Sequence, residues 1–506
     1  MKIARRLLSL LLALLMVFAF VACGEDPNPA TDDVQKPQSS DKAPSSSGTF
    51  VEPEVDNDFT PPERPVGDMT DKIYTIIQHA EIENPFGYSQ DSQMGVMVAD
   101  RVAEVQSLYG CTLEFSNIPY NDQFASQLQA LTFSEDGGDM VFAEKNAMLR
   151  RALGTGGSES LMTDLLTVDH IINFWDMNKW GNISAREAMM AGGYFYGVTP
   201  ALWVDCTPLP YYQVVYNKDL LATAELPDLQ EYWEKEEWDR DTMLDVICSF
   251  DPAVDTAWGL NAALSHMTRA TFLTTGVDLV IIDKINSDKT VEWSRGLDTA
   301  DVADALQWLK NALKNNGKHF NNGDVEYNIA WQSHVPFNEG ACAMAMTRPQ
   351  DIFAFVVTEG PENFGLITWA GYEPNVISGF LEQVFAVSIP TFAQNVEHSA
   401  FLMYDLFEGL DGIESYSDVI AYYRETYFAT DIDMECLVRE NVKLQYSYWP
   451  NGVDAVWTNI SSNLLPSSSI PALLAKNSGV VDTEIEEHMV PNTVALEAYR
   501  QNGFFK

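Results

Sequence analysis

Apolar and polar positions follow two periods along this chain, and the order in which the periods alternate predicts the fold. Lys72-Ile73-Tyr74-Thr75-Ile76-Ile77-Gln78 is a near-continuous apolar run, the pattern of a strand buried on both faces. Val98, Val102, Val105 and Leu108 then recur at spacings of four, three and three, an amphipathic helix that Gly110 closes. Thr112 to Phe115 is a second strand, Phe124, Leu128 and Leu131 mark a second helix, and Asp139 to Ala143 is a third strand. Such alternation predicts βαβ units, an α/β fold and a mainly parallel sheet. Ligands of such sheets collect outside the carboxyl ends of the strands. That rule points to Gln78 and His79 after the first strand and to Glu144, Lys145 and Asn146 after the third.

The pattern changes near the middle. Gly193 to Pro200 and Tyr211 to Leu221 are both β-rich, and Pro200, Pro208 and Pro210 between them forbid a helix and a regular central strand. The backbone there is predicted to be extended and to switch direction, as a chain does in crossing from one lobe to another. Farther on, Asp298 or Thr299 caps a helix whose Val302, Leu306, Leu309 and Leu313 read as core. Ala341 to Met346 is strand-like and ends at Thr347-Arg348-Pro349, and Val384 to Ile389 is strand-like again. From Gln394 to Lys506 the spacing of Ala400, Tyr404 and Phe407 and others like it predicts a largely helical remainder.

A chain of 506 residues is too long for one hydrophobic core, so two lobes are expected on length alone. The 73 acidic and 30 basic side chains give a formal net charge of -43, which argues against nucleic acid or an anionic membrane surface as partner and disfavours a highly anionic ligand. Solubility of an exported protein is the ordinary role of so many carboxylates. Six cysteines form no CxxC pair, and the five other than Cys23 read as buried free thiols. The seven histidines contain no HExxH or other close pair, so neither a metal nor a cofactor is implied. Gly154 to Ser158 is glycine-rich but lacks the Gly-Lys-Ser/Thr ending of a phosphate loop and reads as a loop. Asp431 to Glu435 has the rhythm of a calcium loop, but Cys436 stands where the turn needs glycine.

Residues 1–23 have the form of a bacterial lipoprotein signal: Lys2, Arg5 and Arg6 precede the apolar run Leu7 to Val21, and Phe20-Val21-Ala22-Cys23 closes it. Cys23 is then the lipidation site, and acyl chains at about 0.8 kcal/mol per buried CH₂ would hold the protein on the outer face of the cell membrane. Residues 24–68, rich in Pro, Ser, Asp and Glu, read as a disordered tether.

Aromatic residues make up 11% of the chain, and several fall in predicted loops: Trp203, Tyr211, Tyr212, Trp258, Trp331, Trp369 and Tyr372. A sugar ring offers an apolar CH face and a rim of hydroxyls, so its site needs flat rings together with carboxylate, amide or guanidinium partners. Trp203 with Asp205, and Trp369 with Glu382, supply that mixture. Core packing is the ordinary role of any one of these rings, so the set carries the argument. Acidic pairs suited to glycoside hydrolysis are too plentiful for sequence to single one out, and no GxSxG or Ser-x-x-Lys motif is present.

Four stretches, in order, resemble extracellular solute-binding proteins of family 1, the receptors that deliver ligands to ATP-binding-cassette importers. Gly193 to Pro200 with Tyr216-Asn217-Lys218-Asp219-Leu220-Leu221 is similar to the family's "G-K-L-Y-G-V-P … Y-N-K-D-L-L". Asp139-Met140-Val141-Phe142 is similar to its "D-I-V-F", and Glu237 to Leu244 to its "K-W-T-W-D-T-F-L", with Arg240 where a second Trp is usual. Phe337 to Met344 is similar to its "F-N-x-G-x-x-A-M".

The resemblance implies a two-lobe, type II periplasmic-binding-protein-like clamp with discontinuous lobes and a hinge of three crossings. The expected division is 70–205 plus 337–383 for the N-terminal lobe and 206–336 plus 384–506 for the C-terminal lobe. It also implies that Asn261 to Gly276, with Arg269, lines the cleft. The expected ligand-binding set is Gln78, His79, Glu144, Asn146, Trp203, Asp205, Tyr212, Asn261, Arg269, Trp331, Arg348, Trp369 and Glu382. The protein is expected to be no enzyme but a monomeric substrate-binding lipoprotein for a neutral oligosaccharide, with ABC permease subunits as partners, no cofactor, and membrane contact through its lipid only. The alternatives are a surface-attached glycan hydrolase and a binding lipoprotein that senses without transporting.

Overall fold

The computed structural model describes residues 59–80, 84–118, 124–131, 138–145, 148, 160–180, 189–191, 194–203, 212–254, 257–285, 291–321, 334–347, 364–375, 385–427 and 453–489. Nine strands build two sheets: β1 (Ile73–His79), β2 (Thr112–Ile118), β3 (Met140–Glu144), β4 (Gln213–Asn217), β5 (Trp258–Asn261), β6 (Phe320–Asn321), β7 (Cys342–Thr347), β8 (Phe364–Thr368) and β9 (Phe385–Ser388). The helices that matter below are α1 (Gln93–Tyr109), α2 (Phe124–Leu131), α3 (Arg240–Cys248), α4 (Leu264–Leu273), α5 (Ala300–Asn316), α6 (Val396–Leu406), α7 (Val453–Leu464) and α8 (Ile470–Ala475).

The first sheet has the order β9-β3-β1-β2. Its centre, β1, runs parallel to β2 in register from Ile73 opposite Thr112 to His79 opposite Ile118, and parallel to β3 with Ile76 opposite Met140. The apolar run of β1 is buried from Tyr74 onward except at Thr75, as a strand covered on both faces must be. Helix α1 starts where the Ser92 side chain accepts from Gly95 N and stops at Gly110, whose φ of 63° is the left-handed conformation glycine adopts without a Cβ clash. Val98, Val102 and Val105 face the core as their spacing predicts. Leu108 does not: it is 45% exposed, and Tyr109 takes the inward position.

The second sheet has the order β6-β5-β7-β4-β8. Strands β6, β5 and β7 are parallel, and β4 is antiparallel to β7 and β8 on either side of it. Helix α5 buries Val302, Leu306, Leu309 and Leu313, the four predicted positions. At about 1.5–3 kcal/mol for each fully buried aliphatic side chain, that stripe accounts for its docking. Its first helical residue follows Thr299, which holds the N-cap position without a side-chain cap bond. Helix α4 packs against α5 and α7, with the Phe272 and Trp457 rings edge to face at 5.0 Å. Cys111 and Cys342 are buried free thiols.

Strand pairing divides the later chain otherwise than expected. Residues 337–383 are expected in the N-terminal lobe, but β7 lies between β5 and β4 of the second sheet, with Ala345 opposite both Asn261 and Val215, and β8 pairs with β4. Conversely β9, placed with the second lobe, is antiparallel to β3, with Phe385 opposite Glu144. Helix α6 follows β9 and packs on α1, whereas α7 and α8 pack on α4 and α5 of the second sheet. The chain therefore passes between sheets between Trp203 and Gln213, between Thr368 and Phe385, and between Leu406 and Val453. The physical reason is that β7 and β9 are short and apolar on both faces. Either would fit the interior of either sheet, and only register decides.

Candidate functional site where the two sheets meet

The pairing fixes which ends of the strands lie together. Parallel β1, β2 and β3 end side by side at His79, Ile118 and Glu144, and antiparallel β9 begins at that same end. In the second sheet β5, β6 and β7 end at Asn261, Asn321 and Thr347, β8 ends at Thr368, and β4 begins there at Gln213. The connection from β8 to β9 joins one set of ends to the other. Lys145, next to the end of β3, lies near enough to Asp278, which follows α4 beside the second sheet, for its charge to pull weakly on that carboxyl. Both residues are buried. The carboxyl ends of the parallel strands, where open α/β sheets bind ligands, thus lie in each sheet at the end where the chain crosses to the other.

Each expected residue on this rim has a defined place. Gln78 is buried and structural: its Nε2 donates to Asn84 O at 2.8 Å, and its Oε1 accepts from Phe86 N at 2.7 Å. It thereby holds Phe86, whose φ of 55° is left-handed, against the aromatic core. His79 is buried at the end of β1 and Glu144 half-buried at the end of β3.

Trp203 differs from the expected platform. Its ring is fully buried, edge-on to Phe86 at 5.0 Å and Tyr88 at 6.0 Å and tilted against Phe407 at 4.8 Å. It packs as part of the core beside the first sheet.

Tyr212 turns the chain into β4 with a φ of 68°, a left-handed conformation costing about 1–2 kcal/mol for a residue with a Cβ. The extended backbone expected here ends in that turn. Its buried ring lies 5.3 Å from the imidazole of His266 on α4. Asn261 accepts at Oδ1 from Asn321 Nδ2 at 3.0 Å, so two strand ends present a joined amide pair. The guanidinium of Arg269 lies 5.2 Å from the Trp457 ring and contributes to holding the charge of Asp278. Trp369, just past β8, is buried and donates from Nε1 to Thr271 Oγ1 at 3.1 Å. Burial pushes the Asp278 carboxyl up to about 7, against the opposing pull of the Leu279 amide, Arg269 and Lys145.

Asn146, Asp205, Trp331, Arg348 and Glu382, and Cys23 at the N-terminal end, lie outside the described residues. The structure adds Asn321, bonded to Asn261, Thr271, bonded to Trp369, and Asp278 and Trp457, both near Arg269, from three separate segments. Gln213 joins them: its side chain is fully buried, and among the described residues neither amide atom has a hydrogen-bond partner. Among the described residues no group of three or more His, Cys, Asp or Glu is placed to hold a metal. Among the described residues the rim brings together amides, the Arg269 guanidinium, the Lys145 ammonium, carboxyls, an imidazole and aromatic rings, the equipment for holding a polar small molecule.

A model of bacterial extracellular solute-binding proteins matches residues 100–404, more than half of the chain. The chain belongs to that family. No curated protein matches it in sequence. Among solved structures, an ABC substrate-binding protein from Listeria monocytogenes in complex with cycloalternan is 15% identical with a TM-score of 0.55, over 82% of this chain and 99% of that one. A cyclo/maltodextrin-binding protein complexed with maltotetraose is 13% identical with a TM-score of 0.57, over 82% of this chain and 98% of that one. A solute-binding protein from Thermotoga lettingae bound to α-D-tagatose is 14% identical with a TM-score of 0.52, over 82% and 100%. The fold is thus the two-lobe clamp of these binding proteins. As a solute-binding protein the chain is a binder rather than an enzyme, and its family works outside the cytoplasm. Among the described residues no helix is long and apolar enough to cross a membrane.

Proposed function

We propose that this solute-binding protein is the lipid-anchored receptor of an ABC importer, capturing a neutral oligosaccharide between its lobes and passing it to permease subunits. The observation that carries the reading is the collection of buried polar and aromatic groups at the strand ends. Asn261, Asn321, Gln213 and Arg269 can exchange hydrogen bonds with hydroxyls, and Tyr212, Trp369 and Trp457 bring rings to the same rim. Proteins of the same fold carry cycloalternan, maltotetraose and tagatose. The net charge of -43 weighs against a polyanion.

In this reading Cys23 is the acyl acceptor, residues 24–68 are the tether, and the protein acts as a monomer on the outer face of the cell membrane. One lobe is the first sheet with α1, α2 and α6, and the other is the second sheet with α3, α4, α5, α7 and α8.

The test is a thermal-shift screen of the mature protein against mono- and oligosaccharides, with amino acids, peptides and polyanions as controls. A ligand at about 100 times its Kd adds about 2.7 kcal/mol of stability, enough to register clearly. Stabilisation by a peptide or a polyanion and by no glycan would overturn the reading. Loss of labelling by a palmitate analogue in Cys23→Ser tests the anchor separately.

A further inference from the structure

Outside the cleft, α3, α5, the last turn of α4 and the segment after β8 enclose a second cavity of about 530 Å³, within the range of small-molecule sites. Its centre is a stack. The Arg240 guanidinium lies 4.8 Å from the Tyr372 ring and 5.6 Å from the Trp308 ring, and donates from Nη1 and Nη2 to Asp304 Oδ2 at 3.1 Å. Trp308 Nε1 is tied to Asp241 Oδ1 at 3.0 Å, and Arg240 N to Gly371 O at 2.7 Å, so both rings are held by the start of α3. Tyr372 is nevertheless 68% exposed, the most open aromatic ring of the described residues.

The remaining walls are acceptors. Asp301 and Glu373 line the cavity and enter no ion pair among the described residues. The hydroxyls of Thr274 and Thr275 spend their protons on the carbonyls of Thr271 and Phe272, each at 2.7 Å, leaving only oxygen lone pairs to face inward. An occupant must therefore bring donors and an apolar face for Tyr372. An anion is opposed by the carboxylates. The same carboxylates draw a cation, but Arg240 already fills the place between the rings and offsets part of their charge. A neutral sugar ring meets both demands, with hydroxyl donors around a CH face.

We infer that this cavity is a second saccharide site, separate from the cleft. It backs onto the cleft wall: Thr271 lines the cavity while its Oγ1 accepts from Trp369 Nε1. A glycan longer than the cleft holds could be gripped here at the same time, on the segment that leads from β8 into the crossing.

The experiment uses the mature protein labelled with 5-fluorotryptophan, with the Trp308 and Trp369 signals assigned by Trp308→Phe and Trp369→Phe. The probes are tetrasaccharides of glucose, mannose, xylose and galactose, with spermidine as the cationic control. The expected result is that at least one tetrasaccharide moves the Trp308 signal saturably in the wild type and not in Tyr372→Ala, whose exposed ring can be lost without unfolding. Trp369 in that variant keeps its wild-type signal and response. A Trp308 signal unmoved by every sugar, or moved equally in Tyr372→Ala, or moved by spermidine alone, overturns the site. A Trp369 signal unmoved by every sugar while Trp308 responds counts against the cleft reading and leaves the second site standing.

Discussion

The guanidinium of Arg64 meets the carboxylate of Asp405 with two hydrogen bonds, Nε to Oδ2 at 2.9 Å and Nη2 to Oδ1 at 2.7 Å, across 341 residues of sequence. The Tyr109 hydroxyl donates to the same carboxylate from α1. Asp405 is buried while Arg64 is partly open, so the two partners are not equivalent. Arg64→Ala strands a buried charge and should destabilise the protein by roughly 2–4 kcal/mol, somewhat below the range for fully buried pairs. Asp405→Asn, which keeps an acceptor, should cost less. Urea unfolding of both variants checks the order.

Trp203 yields a second expectation. Enclosed by Phe86, Tyr88 and Phe407, it should behave as a core residue: Trp203→Ala should cost about 3–5 kcal/mol of folding stability, and Trp203→Phe much less. Denaturant midpoints measure this. A variant with unchanged stability and weakened glycan binding would instead restore the ring as a ligand platform.

The contrast between Trp203 and α5 shows what was legible. Every inward position of α5 could be read from spacing, because a helix on a sheet has one apolar stripe and the period reveals it. The alternation of β1, α1, β2, α2 and β3 gave the parallel sheet for the same reason. Trp203 has no period around it, and Phe407, the nearest of its three ring neighbours, lies about 200 residues away in sequence, so its enclosure was invisible. The strand-end rule names His79 and Glu144, which do end β1 and β3, and Gln78, whose amide proves to hold a loop. Asn321, Asp278 and Trp457 lay beyond it because β6 is two residues long and the other two sit on or after helices. The sheet assignment of β7 and β9 failed because register, not composition, determines the partner of a fully apolar strand.

At the strand ends, Asn261 and Gln213 give opposite expectations. Asn261→Leu removes the acceptor of Asn321 Nδ2 and should both lower stability by about 1–2 kcal/mol and weaken glycan binding. Gln213→Leu removes a buried amide that has no partner among the described residues and should raise the stability of the ligand-free protein by about 1–2 kcal/mol while reducing the shift that glycan produces. Melting curves with and without glycan separate the two. A destabilised Gln213→Leu would mean that the amide is satisfied by water and serves the fold.

Asp278 and Glu484 each contribute to the pH dependence of stability. Burial raises both carboxyls to about 7, and Glu487 nearby adds to the effect on Glu484. An acid with a raised folded value keeps its proton while the unfolded chain has lost it, so between about pH 4 and about pH 7 the native state binds more protons and stability falls as pH rises. His398, held below its usual value by burial, acts in the opposite direction towards acid pH, so total stability mixes the two. The difference between wild type and Asp278→Asn isolates one group. Near pH 4 the two should unfold at similar denaturant concentrations; above about pH 7, at about 1.4 kcal/mol per unit of displacement, the Asn variant should be the more stable by up to a few kcal/mol. A difference that is flat from acid to neutral pH would mean that Lys145 and Arg269 hold Asp278 ionised throughout, making it the anionic member of a charge contact between the two lobes rather than a buried acid.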